Sequence, residues 1–414
     1  MNIVHVTRRF VRSHWGGTET VVLETCKRLQ AMGHETHILC PNALAKENSE
    51  IIEGVSVVRV PYFYPYFGLK SEAKDLLDRK GGNLFSFSFM RTLQSEPNLD
   101  LIHLHTGKRL GGIGRHIARK KRIPYVVSLH GGLFDVPTQE AATWTEPTQG
   151  ALEWGKLLGW WVGSRRVMDD AAAIICVGGE ETAQTRKSYP GKKVVHLPNG
   201  VDPRRFESGD GHAFRQIHGI PADAYAIITV GRIDPQKNQL LAVKLLRRLV
   251  EVQPRVHLII IGPVTHEEYH RELVRSIREM GIGDRVTMIP GLETGSQALV
   301  DAYHAGDLFL LPSVHEPFGI VVLEAWASGL PVVASNVGGI PSFVVPFEDG
   351  LLFESDNPES LVQAVQVLVQ HPEKARDMAQ AGCKKAREQY GWDIITDRLM
   401  AIYEEVLHEN PFRK

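Results

Sequence analysis

HEPFGIVVLEAWASG, residues His315–Gly329, follows an apolar run, Leu308–Pro312, that has the length and composition of a buried strand. The stretch then opens a helix, with Gly319 near its start and Gly329 just past its end. Two carboxylates bracket the helix start. Glu316 lies in the loop before it and Glu324 about a turn and a half inside it. Eight residues at ~1.5 Å rise separate them by roughly 12 Å, a span that suits a nucleotide sugar from hexose to ribose. Carboxylates accept hydrogen bonds from hydroxyls, and the free N–H groups of a helix N-terminus between them favour phosphate. The pattern is sugar, anion, ribose.

Glu-x7-Glu in this setting resembles the retaining nucleotide-sugar glycosyltransferases of the GT-B fold, the large group 1 or GT4 type. Taken alone the pair also reads as a helix-start charge followed by a solvated helical glutamate, so the other stretches matter. The resemblance covers essentially the whole chain, with its motifs in order. It implies an α/β protein of two Rossmann-like domains facing each other across a cleft. The expected domains are 1–198 plus 391–414, binding the acceptor and including a crossing C-terminal helix, and 199–390, binding the donor.

The chain has 414 residues, long enough for two or three domains. Its 43% hydrophobic and 23% charged residues are ordinary for a globular protein. No run of eighteen apolar residues occurs, and MNIVHVTRR reads as a first strand rather than a signal peptide. The four scattered cysteines have no metal-ligand spacing and suggest a reducing, cytoplasmic setting without disulfides. The net charge of −1 hides an asymmetry: residues 1–198 carry +7 and the remainder −8. An anionic membrane or a phosphorylated acceptor would suit the first half, and drifting surface charge is the plainer reading.

In both halves short apolar strands alternate with helical patterns, the signature of a parallel sheet covered by helices. Ligands bind beyond the carboxyl ends of such strands, so the loops there are read for function. The first is RRFVRSHWGGTE, residues 8–19, in which Gly16 and Gly17 precede a helix. Gly17 matches a family glycine that contacts the donor's phosphates. Arg8, Arg9 and Arg12 would suit an anionic acceptor, or form a solvated basic rim. LHTGKRLGGIG, 104–114, reads as strand, tight glycine turn and helix. SLHGG, 128–132, ends a strand, and His130 matches a family histidine beside the sugar's anomeric centre. Residues 134–150 form a long loop of the kind that serves as a lid. A helix after Pro147 carries Trp154, Trp160 and Trp161 and ends in Arg165 and Arg166. It suits a membrane interface or an acceptor wall, with burial under the sheet as the alternative. The aromatic stretches 62–68 and 85–90 pose the same choice.

LPNGVDPRRF, 197–206, resembles the family's interdomain segment. Beyond it, GRIDPQKN at 231–238 places Arg232 and Lys237 in one loop after a strand. Arg offers a planar fork to phosphate and Lys a point charge. The resemblance implies that both stabilise the departing nucleoside diphosphate, with the amides at Phe318, Gly319 and Ile320. Leu292, in PGLETGS, would border the nucleobase, and Gly338 and Gly339 would allow close approach to the donor.

The expected catalytic set is thus His130, Arg232, Lys237 and Glu316. The donor set is Gly17, Arg232, Lys237, Leu292, Glu316, Phe318, Gly319, Ile320 and Glu324. The donor is a UDP- or GDP-linked sugar, and no cofactor is implied. Asp-x-Asp is absent from the sequence, so no metal is expected and protein cations take its place. The expected reaction is hexosyl transfer with retention to a carbohydrate or lipid-linked acceptor of the cell envelope or an exopolysaccharide. It would take place in the cytoplasm or on the inner face of the membrane, with no nucleic acid involved. Three competitors remain: a sugar-nucleotide epimerase on the same fold, an idle nucleotide-sugar binding module, and a nucleotide-dependent oxidoreductase. The last is disfavoured because neither first loop has GxGxxG with a downstream acid.

Overall fold

The computed structural model describes residues 1–131, 146–355 and 357–410. The chain divides into two compact units, Met1–Pro198 with Ile395–Lys414, and Asn199–Ile394. Residues 391–394 stay with the second unit because Val201 and Gly391 form a β-bridge and the Val201 amide donates to Tyr390 O at 2.8 Å. Gly200 permits this closeness: a Cβ there would lie 2.6 Å from the Trp392 ring.

The first unit contains β1 (Asn2–Val6), β2 (Glu35–Pro41), β3 (Ser49–Ile52), β4 (Val55–Val60), β5 (Tyr66–Phe67), β6 (Leu101–Leu104), β7 (Tyr125–Leu129), β8 (Leu152–Glu153), β9 (Ala173–Cys176) and β10 (Val194–His196). Eight of these form one sheet in the order β10-β9-β7-β6-β1-β2-β4-β3, parallel except for β3 at the edge. β5 and β8 pair separately, antiparallel. The second unit holds β11 (Tyr225–Val230), β12 (Val256–Ile261), β13 (Val286–Ile289), β14 (Leu308–Leu311), β15 (Val332–Ser335) and β16 (Leu351–Phe353). Their order is β13-β12-β11-β14-β15-β16, all parallel. Strands covered on both faces read as near-continuous apolar runs, and VHLIII and LFLL are fully buried.

Two local readings are corrected. The glycines of GGIG do not make a turn; they lie inside the helix Lys108–Lys121. A Cβ on Gly111, Gly112 or Gly114 would come within 2.7 Å of Thr106 O, Val162 or Leu104, so these glycines let the helix pack closely on its neighbours. The tryptophan segment is not one helix from Pro147. It is a 3₁₀ turn, then β8, then a short helix Lys156–Val162. Trp160 is 84% exposed and Leu157 76%, so this face is not packed under the sheet. The aromatic stretches divide by side: Phe85 and Phe89 enter the core, while Phe67 and Phe87 lie outside. Most of the expected lid loop, residues 134–145 of 134–150, lies outside the described residues.

Candidate active site

In the second unit the strand order reverses at β11, whose neighbours β12 and β14 continue the chain in opposite directions. Loops that leave the carboxyl ends of the strands on either side of a reversal diverge and leave a crevice for ligand. Here those loops are Gly231–Asn238, after β11, and Pro312–Gly319, after β14. They are tied together by backbone. The Val314 amide donates to Gln236 O at 2.9 Å, and Gln236 Nε2 donates to His315 O at 3.0 Å. Lys237 Nζ reaches the Glu316 carboxylate at 2.5 Å, and Ser313 Oγ donates to the same oxygen at 3.2 Å. Glu316 is 7% exposed, so this is a largely buried ion pair. Arg232, more open, contacts Gln236 Oε1 at 3.0 Å and Asp234 at 3.3 Å.

The helix after Glu316 runs Ile320–Ala327, capped by Gly319 in the left-handed region at φ 93°. Trp326 anchors it: the indole is fully buried and its Nε1 donates to Asp349 O at 2.9 Å. Phe318 is buried against Phe343, ring centroids 4.8 Å apart, which holds the loop behind the helix start. Gly338 and Gly339 approach the glutamate loop itself. The Gly339 amide donates to Glu316 O at 2.9 Å, and a Cβ on Gly338 would lie 2.2 Å from that same oxygen. Glu324 accepts from Tyr303 OH at 2.7 Å. Burial pushes its carboxyl up from the usual range, with the tyrosine hydroxyl and Arg205 pulling back. Leu292 is half-buried in the loop after β13. Arg232, Lys237 and Glu316 are therefore brought together. Glu324 and the helix start lie on the element that follows, and Leu292 lies on a separate loop, after β13.

The first unit has its own reversal, at β1, between β2 and β6. The helix Gly17–Ala31 starts at the glycine pair, where the buried Glu19 carboxylate accepts from the Gly16 amide at 3.1 Å. Arg8 and Arg9 do not point freely into solvent. Arg8 donates to the carbonyls of Leu77 and Asp78, and Arg9 to those of Asp78 and Arg79, at the end of the helix Ser71–Lys80. These guanidiniums neutralise a helix C-terminus. Arg12 lies 3.9 Å from Glu50.

His130 follows β7, as expected, but it is not alone. Side chains alternate along a strand, and the register pairs His5 with His103 and His103 with Val126. His5, His103, His105, Ser128 and His130 thus share one face. His5 Nδ1 lies 3.0 Å from His105 Nε2, and His105 Nδ1 lies 2.8 Å from His130 Nε2. His103 is held apart by Ser128 Oγ at 2.7 Å and Tyr403 OH at 2.6 Å. Burial drives His5 down to about 3 and His130 to about 4, and His103 and His105 well below the usual imidazole range. All four are neutral near pH 7. The sequence signal was the two-residue spacing in LIHLHT and SLH, but only the strand order brings the histidines together.

Comparisons with known proteins agree with this layout. The family described as "Glycosyl transferases group 1" matches residues 211–385, and "Glycosyltransferase Family 4" matches residues 15–205. A D-inositol 3-phosphate glycosyltransferase of Thermomonospora curvata is 30% identical over 412 residues, covering 94% of this chain and 90% of that protein. D-inositol 3-phosphate glycosyltransferase 2 of Catenulispora acidiphila is 29% identical over 411 residues, covering 95% and 91%. Among solved structures, sucrose-phosphate synthase from Thermosynechococcus elongatus matches with a TM-score of 0.76 at 21% identity, covering 98% of this chain and 99% of that one. HepE of Anabaena in complex with UDP matches at 0.72 and 18%, covering 98% and 100%. At these identities the two structures speak for the fold.

Proposed function

Because the chain belongs to the group 1, family 4 glycosyltransferases of the GT-B fold, we propose that it moves a hexosyl group from a nucleoside diphosphate sugar to an acceptor hydroxyl, with retention and without a metal. The observation that carries this reading is the meeting of Arg232, Lys237 and Glu316 at the strand-order reversal of the second unit. Two cations and a helix N-terminus suit a diphosphate whose charge grows as the anomeric bond breaks. In this reading Glu316 takes sugar hydroxyls and Glu324 the ribose. Leu292 borders the base. The first unit supplies Gly17 and His130 and binds the acceptor. In a front-face transfer the leaving phosphate takes the acceptor's proton. An anomerically inverted product, read by NMR, would refute that step.

The donor reading is tested by thermal shift with UDP, GDP and ADP and their sugar conjugates. One nucleotide series at a hundred times its Kd should stabilise the wild type by about 2.7 kcal/mol. Glu324→Ala should lose most of that shift. If no nucleotide sugar shifts the wild type at millimolar concentration, the donor site is wrong.

Two acceptor classes have support. Relatives bear the name D-inositol 3-phosphate glycosyltransferase, which favours a phosphorylated polyol and suits the positive first half. A lipid-linked or exopolysaccharide acceptor of the cell envelope is favoured by an exposed aromatic face. Phe63 stacks on Trp154 at 5.9 Å, and the face continues through Phe87 and Trp161 to Trp160. Lys156 and Arg165 flank it, a composition suited to an anionic membrane surface. No helix among the described residues is long and apolar enough to cross a membrane, so such contact would be peripheral. Cosedimentation with vesicles rich in phosphatidylglycerol should fall severalfold in Trp160→Ser/Leu157→Ser. Equal binding of wild type and variant, or none by either, would leave the polyol as the acceptor class.

A further inference from the structure

His5, His105 and His130 form a line of three imidazoles joined by two hydrogen bonds. A neutral imidazole carries one N–H and one lone pair. Within such a line the protons must all run one way, because each contact needs one donor and one acceptor. Two arrangements exist. In the first, His5 Nδ1–H donates to His105 Nε2, His105 Nδ1–H donates to His130 Nε2, and His130 carries its proton on Nδ1. In the second, every proton is reversed and His130 Nδ1 is a bare lone pair.

The far end of the line decides between them. His5 Nε2 is buried with no hydrogen-bond partner. The second arrangement would put a proton there and bury an orphan N–H. The first leaves only an unused lone pair, and orphaned buried N–H groups are the rarer of the two. At the other end, His130 Nδ1 makes no hydrogen bond among the described residues, and the residue is half-buried.

We propose that His5 and His105 are positioning residues that hold His130 in the Nδ1–H tautomer, so that His130 meets its ligand as a hydrogen-bond donor and not as a base. That the ligand atom is an oxygen of the transferred sugar rests on the glycosyltransferase reading; the tautomer does not. The alternative use of the cluster is metal binding, since His5, His103 and His105 have ligand atoms within 4.8 Å of one another. It is disfavoured because both ring nitrogens of His103 already face Ser128 and Tyr403.

The test is a long-range ¹H–¹⁵N correlation spectrum of the ligand-free, full-length protein labelled at histidine, near pH 7.5, with His130→Gln for assignment. The expected wild-type spectrum shows His130 with a pyrrole-like Nδ1 and a pyridine-like Nε2. In His5→Asp an acceptor stands where the first donor was, so the line should reverse, His130 should move to the Nε2–H tautomer, and kcat should fall about tenfold with little change in KM. His5→Asn, whose amide N–H can donate where the Nδ1–H did, should keep both near the wild type. A wild-type His130 protonated on Nε2 would overturn the proposal, as would a tautomer unaffected by His5→Asp. Ring shifts that move on chelator treatment or on stoichiometric Zn²⁺ would assign the cluster to metal. If His5→Asp fails to fold, the wild-type spectrum still decides. The expected tautomer in a protein that transfers no sugar would leave this inference standing and remove the functional reading.

Discussion

Lys237→Met is expected to lower kcat/KM by about 10²–10³, in the range measured when one charge-stabilising donor is removed from an active site. The loss should fall on kcat more than on KM, because the diphosphate's charge is greatest as the anomeric bond breaks. Methionine keeps an unbranched stem of similar reach beside Gly231, where an added Cβ would lie 3.5 Å from the lysine stem. It cannot supply the cation. The substitution also strands Glu316, which among the described residues keeps only Ser313 Oγ as a side-chain partner and is 7% exposed. Breaking a buried pair from one side costs about 3–5 kcal/mol, so stability must be measured beside activity. The double variant Lys237→Met/Glu316→Gln removes both charges and should recover much of the lost Tm, while activity stays low. Activity returning along with Tm would mean that Lys237 serves only to neutralise Glu316.

The second large effect is on stability. Gly338→Ala should lower the Tm of the second unit by roughly 5–20 °C, from about 2–5 kcal/mol at the shift per kcal expected for a domain of this size. Two costs add. Gly338 has φ 54°, where an L side chain is strained by about 1–2 kcal/mol. Its Cβ would also lie 2.2 Å from the carbonyl oxygen of Glu316, a backbone atom that cannot swing aside. Forced overpacking of this kind costs about 1–3 kcal/mol. Gly329→Ala is the control: φ is 75°, but no atom lies within 4 Å of its Cβ, so only the first cost applies. A donor KM that rises in Gly338→Ala and not in Gly329→Ala would show that the glycine loop sets the position of Glu316. Equal Tm values for the two variants would refute the clash.

Much of this layout was legible before any coordinates. Buried parallel strands announce themselves as apolar runs, and β14 begins at Leu308, the first residue of the run read from the sequence. The loops at their carboxyl ends then follow by topology. β3 was not legible, because Ser49–Ile52 is an edge strand with one buried residue and no apolar run. β5 and β8 have two residues each, too few for any period. GGIG misled because glycine serves close packing as well as turns, and only the neighbour shows which. Arg8 and Arg9 looked free because a helix end that meets them lies some seventy residues away in sequence. The histidine line required the register of three strands, which no local pattern encodes.

The helix Trp392–His408 begins in the second unit and ends in the first. The polypeptide therefore leaves the first unit at Pro198 and returns at Ile395. A ribosome has made every strand of the first sheet long before it makes Tyr403, the hydroxyl partner of His103. At 5–20 residues per second the intervening stretch takes roughly 10–40 s. Throughout that interval the earlier half of the nascent chain waits without its closing helix, while the later half is synthesised in one piece. The unit that comes first in the gene is the last to be finished.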